Sequence, residues 1–526
     1  LKIWAQALLF HVFLNRHCQL VAIEETMKLW LRLIFCIPLI ALIAYWALLL
    51  HAHPCGHVGG FWEGAIQTLD LHESDSYWES LPEDMKECLM TTGIVRSMPL
   101  NRISYLYAAG ALFFEVQSRY IQTWQQAESY WFEREVENFL GVSHAQYIST
   151  GTSALVVVMQ GLGIGPGDEV VVQTYTWIST ASAVAANGAI PIMADVDETL
   201  GMSPESLRSK ITPRTKAVII THMQGTPCNV TGIRDVAKEH GIYLVEDNAQ
   251  SFGASVLGKK VGTFGIAGIT SVNPSKTFNV GGQGGLVWTD DDELAERIQW
   301  AVENGLAPHG GVANLPSYKR SFGQSKTVAE KVIPFGYHCF RAPSEWHAAF
   351  GRSELRLLPS QTEKLVGLKM AFRMGLKPQY QDLLQRQADP RGDRGYTVML
   401  ILPQSEHVNL LHAYLKHYRV QSDPGGFWRG HYLPHVESLM NKISFHSSGF
   451  PWMTEEDQRP LNYSDYDKSH AVMNRTLRIS LSWYYSKPMV TWAAGKVNDG
   501  LDAVLRENCK AMPAEMQPHC SKLATQ

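Results

Sequence analysis

A lysine stands where the chain leaves an apolar, strand-like run. The stretch SVNPSK, residues 271–276, ends in Lys276, and the glycine cluster GGQGG follows at residues 281–285. Buried lysines are rare unless they are paired or take part in chemistry. Lys276 is therefore a candidate catalytic amine, and a solvated loop lysine is the alternative at this point.

A candidate phosphate site begins at residue 149. The stretch STGTSAL, residues 149–155, opens the helical run SALVVVMQGL. Backbone N–H groups at a helix start, with the hydroxyls of Thr152 and Ser153, suit a phosphate dianion. Serine and threonine are also common helix caps, so capping alone is the alternative. The glycines of GLGIGPGDEV, residues 161–170, follow a helix and open a strand, which is the reverse of a dinucleotide fingerprint, so we interpret them as turn residues.

The residues that could do chemistry occur in a meaningful order. After the phosphate candidate come an aromatic residue, Trp177, an acid, Asp247 in VEDNAQ, a hydroxyl, Ser271, and then Lys276. A lysine amine forms a Schiff base with an aldehyde, and a carboxylate keeps a pyridine nitrogen protonated. An aromatic ring covers one face of such a cofactor by stacking. Asp247 could instead be a turn residue and Trp177 a core residue, but their joint occurrence favours a site for pyridoxal 5'-phosphate.

The elements that must position these residues alternate between two types. From about residue 75 the chain contains the β-rich runs DEVVVQTYTW, AIPIMADV, KAVIITHMQG, IYLVEDNAQ and GITSVN, separated by the helical stretches TASAVAANG, SPESLRSKI and TGIRDVAKEHG. This alternation predicts an α/β fold, with a mainly parallel sheet covered by helices on both faces. Chemistry in such sheets gathers at the carboxyl ends of the strands, where the candidate residues fall.

Composition excludes several other classes of protein. The chain has 526 residues, of which 45% are hydrophobic and 18% charged, as is ordinary for a globular enzyme with a large core and a second lobe. A net charge of -4 gives no basic field, so no nucleic-acid partner is expected. The eight cysteines form no C-x-x-C pair, and the cluster HAHPCGH at residues 51–57 lacks a second ligand pair, so we expect no metal site.

The N-terminal part of the sequence suggests a membrane segment. Residues 33–50 are continuously apolar, and Met27, Lys28 and Arg32 precede them. We interpret residues 1–26 as a leader upstream of a start at Met27, residues 27–54 as a signal peptide or signal anchor, and residues 55–74 as a linker. A buried core helix is the alternative. We expect residues 33–50 to engage a membrane, either as a signal peptide that is cleaved or as an anchor that is retained. The catalytic domain that follows is expected to be soluble.

Longer motifs extend the pattern over most of the chain. They are WFEREVENFLGVSHAQYISTGTSAL, GIGPGDEVVVQTYTWISTASAVAANGAIPIMADVD, ITPRTKAVIITHMQGTPCNVTGIRDVAKEHGIYLVEDNAQSFGA and SVNPSKTFNVGGQGGLVWTDD. From about Trp78 to about Leu505 the sequence resembles the DegT/StrS sugar aminotransferases, which belong to the fold-type-I, aspartate-aminotransferase-like class. The resemblance implies a large cofactor-binding domain over residues 75–360, a smaller C-terminal α+β domain over residues 361–508, and a tail over residues 509–526.

The resemblance also implies roles for single residues. Lys276 is similar to the Schiff-base lysine and Asp247 to the partner of the pyridinium nitrogen. The other cofactor contacts implied are those of Gly151, Thr152, Ser153 and Ser271 with the phosphate, Gln250 near the phenolic oxygen, and Trp177 on the ring. A lysine at position 276 excludes the dehydratase branch, which carries histidine there.

The activity implied by the resemblance is transamination. Glutamate or glutamine would give its amino group to a ketosugar or keto-cyclitol by ping-pong chemistry through a Lys276 aldimine, in a homodimer, as in the biosynthesis of polysaccharide or antibiotic-type amino sugars. The alternative is a membrane-tethered binding or regulatory protein without turnover. An intact lysine, aspartate and phosphate cradle favour the enzyme.

Two positions depart from the pattern of the family. Gln283 stands where glutamate is usual, and the loop GYHCFRAP keeps Arg341 but has Cys339 where an asparagine for the neighbouring subunit's phosphate is expected. The resemblance therefore does not decide whether this loop contacts the cofactor phosphate of the neighbouring subunit.

Overall fold

The structure is a computed structural model that describes part of the chain. The described residues are 128–302, 340, 344–424, 430–505, 512, 513, 517 and 518. In these parts no helix is long and apolar enough to cross a membrane. The leader, residues 33–50, the linker, Cys339 and Arg341 lie outside the described residues, so the interpretations of them stay predictions.

Helices and strands alternate through the first described stretch, as the sequence predicts. The helices are α1 Glu128–Leu140, α2 Gly151–Gly161, α3 Ser179–Ala186, α4 Pro204–Lys210, α5 Val230–His240, α6 Asp292–Val302, α7 Glu345–Gly375, α8 Ser405–His417, α9 Glu437–Met440, α10 Asp467–Met473 and α11 Lys487–Leu505. The strands are β1 His144–Ile148, β2 Glu169–Gln173, β3 Ile190–Ala194, β4 Thr215–Thr221, β5 Tyr243–Asp247, β6 Ser255–Val256, β7 Lys259–Lys260, β8 Ala267–Ser271, β9 Gly285–Thr289, β10 Thr397–Ile401, β11 Ser422–Pro424 and β12 Thr476–Ser480.

A seven-stranded sheet forms the centre of the large domain. Its strand order is β1-β9-β8-β5-β4-β2-β3. The pairs from β8 to β3 are parallel, and β9 runs antiparallel to both β8 and β1. The predicted α/β fold with a mainly parallel sheet is therefore confirmed. Strands β1 and β9 were not among the runs identified from the sequence.

Both faces of this sheet are buried. Successive side chains of a strand point to opposite faces, and apolar side chains on each face pack against helices. In β2, Val170 and Val172 join a core with α2, α3 and α6, whereas Val171 faces the opposite core with α4 and α5. Ile219 and Ile220 of β4 divide in the same way. The helices therefore cover both faces of the sheet. The carboxyl edge of the parallel strands is not covered in this way, and the candidate site residues lie there.

A second sheet lies in the C-terminal part of the chain. Strands β10, β12 and β11 form it in that order, with antiparallel pairing. Leu365 and Phe372 of α7 pack into its core with α8 and α11, whereas Leu355 and Leu358, earlier in α7, pack into the large domain. The expected domain boundary at residues 360/361 falls between these two sets, within a continuous helix. The division into two domains at this point stays a prediction.

Candidate active site

The carboxyl edge of the parallel sheet brings the predicted residues towards one place. Asp247 is the last residue of β5 and Ser271 the last of β8, and these two strands are neighbours. Lys276 lies in a turn after β8, in which its amide donates to the Asn273 carbonyl at 3.0 Å. The structure therefore places the acid at the end of a strand and the lysine directly after the neighbouring strand, as the sequence predicts.

The start of α2 forms the predicted helix N-terminus. Thr150 is its N-cap, and the Thr150 hydroxyl accepts a hydrogen bond from the Ser153 amide at 3.0 Å. The Ser153 hydroxyl lies 2.8 Å from that of Thr150 and 2.9 Å from that of Ser149. Both polar groups of Ser153 are thus engaged within the helix start, and its predicted phosphate contact stays a prediction. The cap itself, Thr150, was not assigned from the sequence.

Backbone crowding shapes a cradle beside this helix start. A Cβ atom on Gly151 would lie 2.7 Å from the Ser271 Cβ, and one on Gly285 would lie 2.7 Å from the Gly151 nitrogen. Three backbone segments therefore meet where only glycine fits. The amides of Gly151 and Thr152 belong to the first helical turn, whose N–H groups have no partner within the helix. Thr152 is exposed, so the cradle offers amides and a hydroxyl to an anion.

Asp247 is a buried acid with limited compensation of its charge. Asp247 is only 5% exposed. Its carboxylate accepts hydrogen bonds from the Ala249 amide at 2.9 Å and the Thr180 hydroxyl at 3.5 Å. Burial raises the pKa of Asp247, although the Ala249 amide and the Lys276 charge counteract the rise. A cation placed beside this carboxylate would be strongly stabilised.

Lys276 lies in the same electrostatic environment. Burial lowers the pKa of its amine, and the Asp247 carboxylate opposes that effect. A lowered pKa increases the fraction of neutral amine, the form that acts as a nucleophile or accepts a proton. Lys276 and Asp247 are therefore close enough to influence each other, and each has the shift expected of a functional group.

Trp177 lies at the mouth of this region, against a residue from the C-terminal part of the chain. It is 42% exposed, and its ring centroid lies 4.8 Å from that of His431. The Ile178 amide donates to the Gly430 carbonyl at 2.7 Å, which aligns the two segments. The exposed surface of the tryptophan leaves room for a ring to stack on it. His431 belongs to RGHYLPH, residues 429–435, to which the sequence gave no role.

The orientation of the Gln250 amide follows from its partners. Its Oε1 accepts a hydrogen bond from the Gln224 backbone amide at 3.1 Å, so its Nε2 is the atom 3.2 Å from the His431 Nε2. Because the amide nitrogen only donates, the His431 Nε2 accepts and the imidazole is neutral. Burial, with the charges of Lys276 and Arg478, lowers the pKa of His431 to about 4, in agreement with this tautomer.

Arg478 is a second site residue that sequence reasoning missed. It lies on β12, where its Nη2 donates to the Asp423 carboxylate at 2.7 Å and its Nη1 to the Gln224 Oε1 at 3.2 Å. Its charge acts on His431 and on the buried Tyr175. A single arginine in a strand carries no sequence signal, whereas the composition of RGHYLPH could have pointed to His431.

The residues present fit pyridoxal phosphate. The glycine-only cradle and helix start suit its phosphate, the incompletely compensated Asp247 carboxylate suits its pyridinium, and the Lys276 amine, whose pKa burial lowers, suits its aldehyde. Trp177 offers an open aromatic surface. Each group stands on a different element, and their convergence is the observation that supports this fit.

The sequence match identifies the class. The DegT/DnrJ/EryC1/StrS aminotransferase family matches residues 117–435, which is more than half of the chain, and the protein belongs to this family. The family and the aminotransferase class predicted from the sequence are thereby confirmed.

Particular relatives are similar over parts of their length. A UDP-N-acetyl-3-dehydro-alpha-D-glucosamine 3-aminotransferase of Acidithiobacillus ferrooxidans is 43% identical over 239 residues, covering 45% of this chain and 62% of the relative. The GDP-perosamine synthase of Vibrio cholerae is 30% identical over 320 residues, covering 60% of this chain and 80% of the relative. An L-glutamine:2-deoxy-scyllo-inosose aminotransferase of Streptomyces kanamyceticus is 35% identical, and the match spans 48% of its length.

Solved structures agree on the fold. An aminotransferase from Psychrobacter cryohalolentis superposes with a TM-score of 0.60 at 22% identity, covering 77% of this chain and 97% of that one. An aminotransferase from Streptoalloteichus hindustanus gives a TM-score of 0.60 at 24% identity, with coverage of 77% and 97%. These two structures therefore share the fold of this chain.

Proposed function

We propose that this protein is a pyridoxal-phosphate-dependent aminotransferase that moves an amino group from glutamate or glutamine to a ketosugar or keto-cyclitol. The observation that carries the proposal is that Asp247, the last residue of β5, and Lys276, in the turn after the neighbouring strand β8, interact beside a glycine-only cradle at a helix start. A binding protein without turnover has no need of a buried acid aligned with an amine of lowered pKa.

Six groups besides Lys276 would hold the cofactor. The amides of Gly151 and Thr152, with the Ser271 hydroxyl, would bind the phosphate, and Trp177 would cover one face of the ring. Gln250 would donate to the phenolic oxygen, and Asp247 would bind the protonated ring nitrogen. Ser153 would act mainly by holding Thr150 in its capping position. When bound, the cofactor supplies an aldehyde carbon that can bond covalently to an amine, and a ring that can accept electrons.

The protein's own residues would then handle the protons. The Lys276 amine, whose pKa is lowered by burial, would take the proton from the α-carbon of the amino donor and return it during the second half of the reaction. Asp247 would retain its negative charge, since the nearby pyridinium compensates it. His431, neutral because its pKa is near 4, would add no competing positive charge beside the lysine.

The substrate classes follow from charge and from the relatives. The charge of Arg478 acts on His431 in the candidate site, and a guanidinium there suits a carboxylate of an amino-acid donor. Relatives named for glutamine, for a 3-keto UDP-sugar and for perosamine synthesis support a keto group on a sugar or cyclitol as the acceptor. A homodimer is part of this proposal.

The decisive experiment is covalent trapping. Purified protein is loaded with pyridoxal phosphate, reduced with borohydride and digested, and mass spectrometry locates the modified lysine. The label should lie on Lys276 and be lost in Lys276→Ala, which should also abolish amino transfer. Lys216→Ala, an exposed lysine of β4, is the matched control and should keep both label and activity.

A panel of donors and acceptors then identifies the reaction. Glutamate and glutamine, each with keto forms of nucleotide sugars and of cyclitols, are incubated with the enzyme, and aminated products are detected by mass spectrometry. Absence of any cofactor label on Lys276 would overturn the proposal. A labelled enzyme that aminates none of the acceptors would retain the cofactor assignment and reject the acceptor class.

A further inference from the structure

A short segment of the C-terminal part of the chain packs against two loops next to the candidate site. Residues 393–397, here called the strap, lead into β10. The strap makes four hydrogen bonds with the loops after β4 and β5: Thr226 Oγ1 to Asp393 Oδ2 at 2.8 Å, Arg394 N to Gly225 O at 2.9 Å, Tyr396 OH to Gln250 O at 2.6 Å, and Thr397 Oγ1 to Gln224 O at 2.6 Å.

The loop held by the strap has an unusual backbone. Gln224 has φ 56° and ψ 31°, which places a residue other than glycine in the left-handed region. Gly225 follows with φ 82°, and a Cβ there would lie 2.6 Å from the Tyr396 ring. A conformation of this kind persists only where the surroundings fix it, and such conformations gather at functional sites. The hydrogen bonds from Thr397 and Arg394 fix it here.

The consequence of this conformation reaches Gln250. The Gln224 amide, aimed by the left-handed backbone, donates to Gln250 Oε1 at 3.1 Å. This bond turns Gln250 Nε2 towards His431 and the site, while the Tyr396 hydroxyl holds the Gln250 carbonyl from the other side. The strap therefore contacts Gln250 directly once and indirectly through Gln224.

The strap is itself firmly anchored. Asp393 is buried, and its carboxylate accepts hydrogen bonds from the Lys369 amine at 2.7 Å and from the Gly395 amide at 2.5 Å. Lys369 lies on α7 in the half that packs into the C-terminal core. Burial raises the pKa of the Tyr396 hydroxyl, so that hydroxyl remains a donor to Gln250 at all ordinary pH values.

We infer that the strap is a positioning element by which the C-terminal domain fixes the direction of the Gln250 amide in the active site. Tyr396 and Thr397 are its positioning residues, because they contact the loops rather than the reacting atoms. The inference deepens the proposed function, on which its cofactor readout rests, whereas its hydrogen-exchange readout does not need the cofactor.

The first test uses cofactor-free protein. Tyr396→Phe keeps the ring against Gly225 and removes only the hydroxyl, and Thr397→Val removes the bond to Gln224 O. Both should increase exchange of the Gln224 amide by about fivefold, the value of one ordinary hydrogen bond. Tyr380→Phe is the matched control, because its hydroxyl donates to Asp502 Oδ1 at 2.6 Å within the C-terminal part. It should leave exchange at residue 224 unchanged.

The second test uses the loaded enzyme. The absorbance of bound pyridoxal phosphate is titrated with pH in wild type, Tyr396→Phe, Gln250→Ala and the double variant. Loss of a donor to an anionic oxygen raises its pKa, so the midpoint in Tyr396→Phe should move upward by about half a unit or more. In the Gln250→Ala background the same substitution should have no further effect, since the strap acts through that amide.

The outcomes separate the two proposals. Wild-type protein that takes up no cofactor would reject the proposed function and leave the exchange result to decide on the strap. Unchanged exchange at residue 224 in both Tyr396→Phe and Thr397→Val would overturn the inference. Equal midpoint shifts with and without Gln250 would also overturn it, because Tyr396 would then act by another route.

Discussion

Asp247→Asn separates the charge of this residue from its shape. In the structure Oδ1 accepts from the Ala249 amide at 2.9 Å, and the amide oxygen of asparagine can replace it. The new Nδ2 can donate to the Thr180 hydroxyl, which now donates to Oδ2 at 3.5 Å. The cofactor-free variant should therefore fold, with a free energy of unfolding within about 1 kcal/mol of wild type.

The expected loss of activity is much larger. If Asp247 faces a pyridinium, two opposite unit charges about 4 Å apart interact by about 4 kcal/mol at an effective dielectric constant of about 20. A neutral amide removes this term from the step in which the ring accepts electrons. At about 1.4 kcal/mol per tenfold change, kcat/KM should fall by about a thousandfold.

The pH dependence of stability gives an independent check. Burial raises the pKa of Asp247 above its ordinary value of 3.8, so the folded state binds more protons than the unfolded state above that pH. This contribution makes wild type less stable as pH rises through the shifted pKa. Asp247→Asn lacks it, so the stability of the variant relative to wild type should increase with pH.

Two measurements decide the matter. Thermal unfolding of the cofactor-free proteins over a range of pH gives the stabilities, and steady-state kinetics with a donor gives kcat/KM. An Asp247→Asn variant within tenfold of wild-type activity would show that the carboxylate charge is not used in catalysis. A loss of more than about 3 kcal/mol in cofactor-free stability would instead assign Asp247 a structural role in its turn.

Three further outcomes are expected. Gly151→Ala, whose Cβ would lie 2.7 Å from the Ser271 Cβ, should cost about 1–3 kcal/mol in unfolding free energy and weaken cofactor binding, whereas Gly367→Ala, with open space around it in α7, should be neutral or stabilising. Burial and nearby charges lower the pKa of His431 from 6.5 to about 4, so the stability of wild type relative to His431→Gln should fall by up to about 3 kcal/mol as pH falls across that interval, as measured by thermal unfolding. Burial raises the pKa of Glu133 from 4.5 to about 8, so the stability of wild type relative to Glu133→Gln should fall as pH rises between these values, as measured by denaturant unfolding.

Much of the parallel sheet and its edge could be predicted because the signals are local. Val170 to Val172 form an apolar run between turn residues, and such a run reads as a buried strand wherever it lies in the fold. Asp247 and Ser271 directly follow runs of this kind, so their place at the carboxyl edge depends only on the sheet being parallel. The helix start at STGTSAL is equally local. Strands β1 and β9 were not predicted from the sequence, because their antiparallel pairing joins residues more than a hundred positions apart.

The sequence by itself therefore determined the α/β class, the lysine and acid at the strand ends, and the family to which the motifs belong. Only the tertiary structure decided which distant residues complete the site. His431 and Arg478 reach Gln250 and Gln224 from about 180 and 254 positions away, and the strap reaches them from the C-terminal part of the chain. The left-handed conformation of Gln224 is likewise set by Thr397 and Arg394 rather than by its own preference. Contacts of this separation leave no periodic trace in the chain, because each depends on how two segments distant in sequence pack together in the fold.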